Sequence, residues 1–282
     1  MIDMKYLILS LLVMFVYTSD AQFVREYKDT LDFAYNFQPG DTLIYSAESL
    51  DSIQIDYGDI ILKNTRANIL IVCDSIKDGR FFLTQKMIAF STVQSDGNIN
   101  DQKISESDWI MRPVRIELDS AGKRYSWSIA EEDPDVSPLG DFCPYILMEY
   151  NKTRIREGSS WMYEGTDVIP ENGNPPPLIS HSNLFDALYA VDTLNHMCSV
   201  IEYIRTGQGD FTVNTEAQKF RKTNIINSYG RIYFSTDLQV PIHIFCTCEQ
   251  KIKLKFSKDE ELPGNHYTTV TYRLINFIRH ED

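Results

Sequence analysis

Gly40-Asp41-Thr42-Leu43-Ile44-Tyr45 is a glycine-led turn running into a β-branched and aromatic strand, and the chain repeats the pattern as Gly158-Ser159-Ser160-Trp161-Met162-Tyr163. The spacing is 118 residues. At that same spacing Asp74-Ser75-Ile76 returns as Asp192-Thr193-Leu194, and Val114-Arg115-Ile116-Glu117-Leu118-Asp119 returns as Ile232-Tyr233-Phe234-Ser235-Thr236-Asp237. In each block the apolar positions and one anchor residue correspond, which reads as two related halves.

Outward from these blocks the dominant hydrophobic period is two. Ser52-Ile53-Gln54-Ile55-Asp56-Tyr57 alternates polar and apolar, as a half-buried strand requires. Ile69 to Cys73, Phe81 to Val93, Tyr125 to Ile129, Ala187 to Leu194, Cys198 to Thr206, Pro241 to Phe256 and Tyr267 to Phe277 have the same β-branched and aromatic character. Lys77-Asp78-Gly79-Arg80 reads as a hairpin turn, with Asp-Gly supplying positive φ angles, and Gly207-Gln208-Gly209-Asp210 reads as another. Short, local connections between about a dozen strands point to antiparallel sheets. Two stretches have near-helical spacing instead. Cys143 to Arg156 places Ile146, Leu147, Tyr150 and Ile155 toward one side, and the offset sets Glu26 to Phe37 opposite it.

The N-terminus carries an address. Lys5 precedes an apolar run from Tyr6 to Tyr17, followed by small residues at Ser19 and Ala21. A helix of that length reaches roughly 18 Å, short of the ~30 Å hydrocarbon core, so residues 1–21 read as a cleaved signal peptide rather than an anchor. No later apolar run is long enough to span as a helix, so no membrane span is expected after cleavage. The expected location is the periplasm or the exterior of a Gram-negative cell. Between the halves, Glu131-Glu132-Asp133-Pro134-Asp135-Val136-Ser137-Pro138-Leu139-Gly140 marks a linker.

Composition limits the function. The chain has 282 residues, a formal charge of −13 and five cysteines. Its acidic surface repels phosphate backbones, which disfavours nucleic acid. Five cysteines are too few for a disulfide scaffold and odd in number. His196 and Cys198 share a strand face, as do Cys246 and Cys248 with His243 nearby, but this spacing suits buried thiols better than a zinc knuckle. The acidic residues 131–135 and Asp141 lack a calcium-loop spacing and read as solvated linker. Neither a Gly-x-Ser-x-Gly elbow nor a His-Glu-x-x-His helix occurs. No catalytic residue, metal or cofactor is assigned. What remains is aromatic strand surface that could line an apolar concavity, for which Tyr45, Trp127, Trp161 and Tyr163 are the candidates. The alternative is that these rings fill the interior.

The opener Phe37-Gln38-Pro39-Gly40-Asp41-Thr42-Leu43-Ile44-Tyr45, followed by strand after strand, resembles uncharacterised exported half-barrel envelope proteins. More distantly it is similar to periplasmic lipoprotein carriers, in which an incomplete barrel wraps a helix around an apolar cavity. That resemblance implies shape and apolarity and transfers no functional residue. A carrier has one half-barrel, whereas this chain reads as two.

The expected fold is mainly β, with antiparallel sheets forming two tandem half-barrel-like units, residues 22–130 and 143–282, each with a short helix and joined by a linker at 131–142. The expected role is non-catalytic binding of an apolar or lipid-like ligand or of an envelope protein; the alternative is a structural or assembly component of an outer-membrane complex with no small ligand. Export should remove residues 1–21. Intact mass of the native protein checks this, and a mature chain retaining Met1 to Ala21 would refute it.

Overall fold

The computed structural model describes residues 24–26, 28–96, 102–105, 110–129, 145–168, 178–214 and 219–280. The expected signal peptide and linker lie outside them. The strands are β1 (Val24–Glu26), β2 (Thr30–Asp32), β3 (Thr42–Ile55), β4 (Ile61–Lys77), β5 (Arg80–Asp96), β6 (Gln102–Ile104), β7 (Val114–Leu118), β8 (Arg124–Ile129), β9 (Arg154–Arg156), β10 (Ser160–Val168), β11 (Leu178–Thr193), β12 (His196–Asn214), β13 (Lys219–Ser235), β14 (Val240–Lys255) and β15 (Glu261–Ile278). Thirteen form one sheet in the order β1-β11-β12-β13-β14-β15-β3-β4-β5-β7-β8, with β10 on β11 and β6 on β5, while β2 and β9 pair separately. Every named strand pair is antiparallel.

This corrects the expectation of two half-barrel units. Each quoted opener does precede a strand, since Gly40 (φ 91°) stands before β3 and Gly158 (φ 77°) before β10. The two runs of strands are nevertheless fused, because β15 pairs with β3 from Gly264↔Ile55 to Ile278↔Thr42. Asp41 secures that seam. Its buried carboxylate accepts the backbone N–H of Gln38 at 2.8 Å and of His280 at 3.1 Å, and lies 3.6 Å from the Arg279 guanidinium.

The expected helices are also absent among the described residues. Leu31, Phe33, Tyr35 and Phe37 are buried alternately, the period of an extended chain. Their backbone groups bond to distant partners rather than to i−4: Phe33 N–H to Thr153 O at 2.8 Å and Tyr35 N–H to Ser120 O at 2.9 Å. Residues 145–156 run beside them, also without helix. Ile146, Leu147 and Met148 are all buried because this segment is enclosed on several sides, so its apolar spacing imitates a helix face. Together the two segments form a plug against the inner face of the sheet. Tyr150 is its centre, with the rings of Phe33, Tyr35, Phe185 and Phe234 at 5.8–6.0 Å.

The inner face changes character along the strands. One cross-sheet row reads Ala187, Ile201, Ile232, Ile244, Tyr272, Ala47, Ala67, Phe90 and packs on the plug. Four residues further along the strands, the row reads Tyr163, Asn183, Arg205, Ser228, Cys248, Thr268, Asp51. On the other side of the apolar row the sheet bends. Leu188, Ile242, Ile275 and Ile88 are extra residues in β11, β14, β15 and β5, each within two residues of the row Tyr189-Val200-Tyr233-His243-Arg273-Ser46-Asn68-Ala89. Bulges aligned in this way bend and twist the sheet along one line. Lys77–Arg80 is the expected tight turn, with Asp78 and Gly79 at φ 53° and 75°. Gly207-Gln208-Gly209 is not a turn but lies within β12, where the missing side chain of Gly207 lets Ile179 and Ile226 meet across it.

Tyr203 lies flat across Gly230, its cross-strand partner, and a Cβ there would stand 2.2 Å from the ring. Gly230→Ala should therefore displace the ring and cost about 1–3 kcal/mol. In chemical denaturation the midpoint should fall with unchanged m-value; an unchanged midpoint would refute the packing.

Candidate functional site

Of the aromatic residues singled out from the sequence, two are buried in the core. Tyr45 is fully buried and donates its hydroxyl to Pro241 O at 2.7 Å. Trp161 is buried and donates Nε1–H to Tyr150 O at 2.6 Å, while its ring stacks on Phe185 at 5.1 Å. Tyr163 shares that face of β10 and is half-buried, its hydroxyl 3.0 Å from Glu149 Oε2. Trp127 stands in β8 opposite Ile116, and its side chain lies outside the described residues. Tyr45 and Trp161 thus belong to the plugged core.

A hollow of about 630 Å³ opens instead on the outer face, at the line of bulges. Ile242, an extra residue of β14, is buried in its floor, and Tyr233, Leu274 and Ile275 form its walls. The β11–β12 turn overhangs it. Leu194 and Asn195 there have φ 54° and 64°, as a two-residue type I′ hairpin demands. A branched side chain at positive φ is costly, and Leu194 is moreover 56% exposed. The turn thereby displays Leu194 at the rim of the hollow.

Three nitrogen-bearing side chains converge on these apolar walls. His243 stacks on Tyr233 with centroids 5.6 Å apart and planes at 19°. Burial, then the neighbouring Arg273 guanidinium, holds His243 below its usual pKa, so the ring is neutral at pH 7. Arg273, directly across from it on β15, is exposed. His196 completes the set, with Nδ1 3.9 Å from Asp237 Oδ2. Cys198 belongs to the small buried cluster that also contains Ile242, and burial pushes its thiol up to about 12, leaving it protonated. Volume, apolar lining and a few convergent polar groups match a small-molecule site.

Other groups that might do chemistry are arranged differently. Among the described residues no three His, Cys, Asp or Glu side chains are grouped to hold a metal ion. Cys246 and Cys248 lie on the inner face, and burial pushes Cys246 up to about 12. A His–carboxylate pair does exist in the polar inner region: His266 Nε2 is 2.8 Å from Asp51 Oδ1. The adjacent Ser49 hydroxyl donates to Asp51 Oδ2 at 3.0 Å, so it is bonded to the carboxylate and not to the imidazole. This is an anchor across the β15–β3 seam.

His196 and His243 stood out in the sequence as possible metal ligands, but Leu194, Ile242, Arg273 and Ile275 carried no motif. The Leu-Asn dipeptide was the one usable signal, as an unusual turn. The bulges depend on strand register, which one sequence does not display.

No protein-family model and no curated protein matches the chain. Among solved structures it is weakly similar to lipovitellin, described for its lipid–protein interactions, at 11% identity and TM-score 0.44, covering 88% of this chain and 26% of that one. The Pseudomonas aeruginosa proteins OccK5 (OpdH) and OpdQ align at 8% and 7% identity with TM-scores of 0.28 and 0.21, over 86% and 89% of this chain and 100% of theirs. No helix among the described residues is long and apolar enough to cross a membrane.

Burial raises the pKa of the Asp51 carboxyl, but hydrogen bonds from His266 and Ser49 outweigh it and hold it below the usual value near 3.8. A folded-state pKa below the unfolded one stabilises above the unfolded value and is lost as pH falls through the folded one. Asp51→Asn should thus cost roughly 1–3 kcal/mol at pH 7, with the deficit shrinking below about pH 4. Denaturation at both pH values checks this, and a deficit independent of pH would count against it.

Proposed function

We propose that this protein binds an amphipathic anion without transforming it, the apolar part lying in the hollow at the bend and the charged end at Arg273. The hollow itself carries the reading: it offers aliphatic walls at Leu194, Ile242, Leu274 and Ile275 beside a guanidinium and two imidazoles. Arg273 sets a cation beside the exposed apolar side chains of Leu194 and Ile275. Burying apolar ligand surface there gains about 25 cal/mol per Å². An exported, envelope-located protein, as residues 1–21 suggest, fits such a role. The apolar ligand part lies outside the sheet, because the plug occupies the apolar rows of the inner face.

A second reading, assembly on a protein partner, is supported by one cross-sheet row of the outer face. Met162, Leu184, Ile204 and Tyr229 are consecutive in it, Leu50 and Val93 recur beyond Thr247, Thr269 and Asn64, and these six apolar side chains are each 37–62% exposed. Aligned exposed apolar side chains of this kind mark interaction surfaces.

Titration with a fluorescent long-chain fatty acid tests the first reading. Ile275→Glu changes an exposed wall residue, so folding should be spared and probe affinity should fall at least about tenfold, more than 1.4 kcal/mol. Arg273→Gln should weaken the acid but leave the matching fatty alcohol unaffected. Absence of saturable binding by the folded wild type, or unchanged affinity in both variants, would overturn the proposal.

A further inference from the structure

Two residues along the strands from the exposed apolar row of the outer face, the next cross-sheet row reads Glu164, Ser182, Thr206, Asn227, Glu249, Tyr267. Ser182 and Thr206 have short side chains, so this row stands low between β10 and β13, and a hollow opens on each side of it. One, of about 690 Å³, lies toward the row Thr166, Ser180, Gln208, Ile225 and is walled mainly by hydroxyl and amide side chains. The other, of about 470 Å³, lies toward Tyr229, Thr247 and Thr269. They meet at Asn227, which lines both. Together they cross the sheet from β10 to β15, roughly 24 Å at ~4.8 Å per strand.

Two tyrosines border the second hollow. Tyr229 and Tyr267 are 40% and 50% exposed, Tyr229 donating its hydroxyl to Glu202 Oε1 at 2.6 Å and Tyr267 holding its own 3.4 Å from Glu249 Oε1. Each offers apolar ring surface whose position is set by an anchored polar tip. The outward-facing charged side chains that line the two hollows are Glu164 and Glu249, and neither lysine nor arginine is among the lining residues. Lys251, the next outward residue of β14, is paired with Glu249 at 3.8 Å. Such a surface repels phosphate, sulfate and carboxylate groups. An acyl chain laid here would strip water from the hydroxyls and amides without replacing its hydrogen bonds. A sugar ring matches both kinds of surface, because it carries an apolar C–H face and a rim of hydroxyls. The length of the groove suits a chain of such rings. We propose that this outer face binds a neutral polysaccharide laid across the strands, with sugar rings against Tyr229 and Tyr267 and their hydroxyls bonded by Gln208, Asn227 and Glu249. The groove is separate from the hollow at the bend, since no residue lines both.

The test is affinity electrophoresis of the folded protein in native gels containing galactomannan, β-1,3-glucan or α-mannan, against gels containing the anionic polymer alginate. At least one neutral polymer should retard the wild type saturably, and alginate should not. Tyr267→Ala should lower affinity for that polymer at least about tenfold, whereas Tyr267→Phe, which keeps the ring, should bind as the wild type does. Asn227→Ala should weaken binding severalfold. Both side chains are exposed, so circular dichroism and Tm should stay as in the wild type, and the two positions serve as independent variants. Ile275→Glu, in the hollow at the bend, should leave retardation unchanged, which separates this site from the one proposed there. Retardation by none of the neutral polymers, equal retardation by alginate, wild-type binding by either alanine variant, or a loss in Tyr267→Phe as large as in Tyr267→Ala would overturn the proposal.

Discussion

A broad antiparallel sheet has two faces and must cover one of them, and here the cover comes from the chain's own irregular segments. Phe33, Tyr35 and Phe37 enter from one side and Ile146 to Tyr150 from the other, meeting around the Tyr150 ring. Their backbone groups are satisfied by one another and by the β7–β8 turn: Tyr35 N–H by Ser120 O, Tyr150 N–H by Ala121 O. This lets extended chain lie in an interior without the cost of unpaired amides. The turn has to come very close to do so. Gly122 sits at φ 80°, and a Cβ there would be 2.1 Å from Met148 O. Burial of the inner face follows from this filling.

The plug occupies only one end, and the division of the molecule follows. Where it lies, the inner rows are aliphatic and aromatic; beyond it they turn to Asn183, Arg205, Ser228 and Asp51. On the other side of the plug the bulges bend the sheet and open a hollow on the outer face. The two ends of the strands therefore present different chemistry, amphipathic at the bend and polar at the far end of the inner face.

Much of the fold could be read from residues alone. Alternation identified the strands, and Asp78-Gly79 identified a turn. Two errors share one cause. Residues 145–156 looked helical because Ile146, Leu147 and Tyr150 are buried from more than one direction, and periodicity assumes a single buried face. Gly207 looked like a turn residue because its reason is spatial: side chains from β11 and β13 meet over it. Fusion of the halves was invisible for the same reason, since no local pattern announces that the end of β15 pairs with the start of β3. Tyr45 and Trp161 have the hydrophobicity of a ligand wall but are buried in the core packing. The hollow arose from bulges at Ile242 and Ile275, and register, not composition, decides those.

The seam has a consequence for how the molecule is made. Strand β15 is the last of the sheet to be synthesised, yet it stands near the middle, between β14 and β3. Until it arrives, the run beginning at β3 and the run ending at β14 each present an open, hydrogen-bonding edge. Contacts between residues such as Thr42 and Ile278 close loops spanning most of the chain, which makes folding slow and its intermediates prone to pairing with the wrong edge. The sheet therefore becomes continuous only when its last-made strand enters between two edges that already exist.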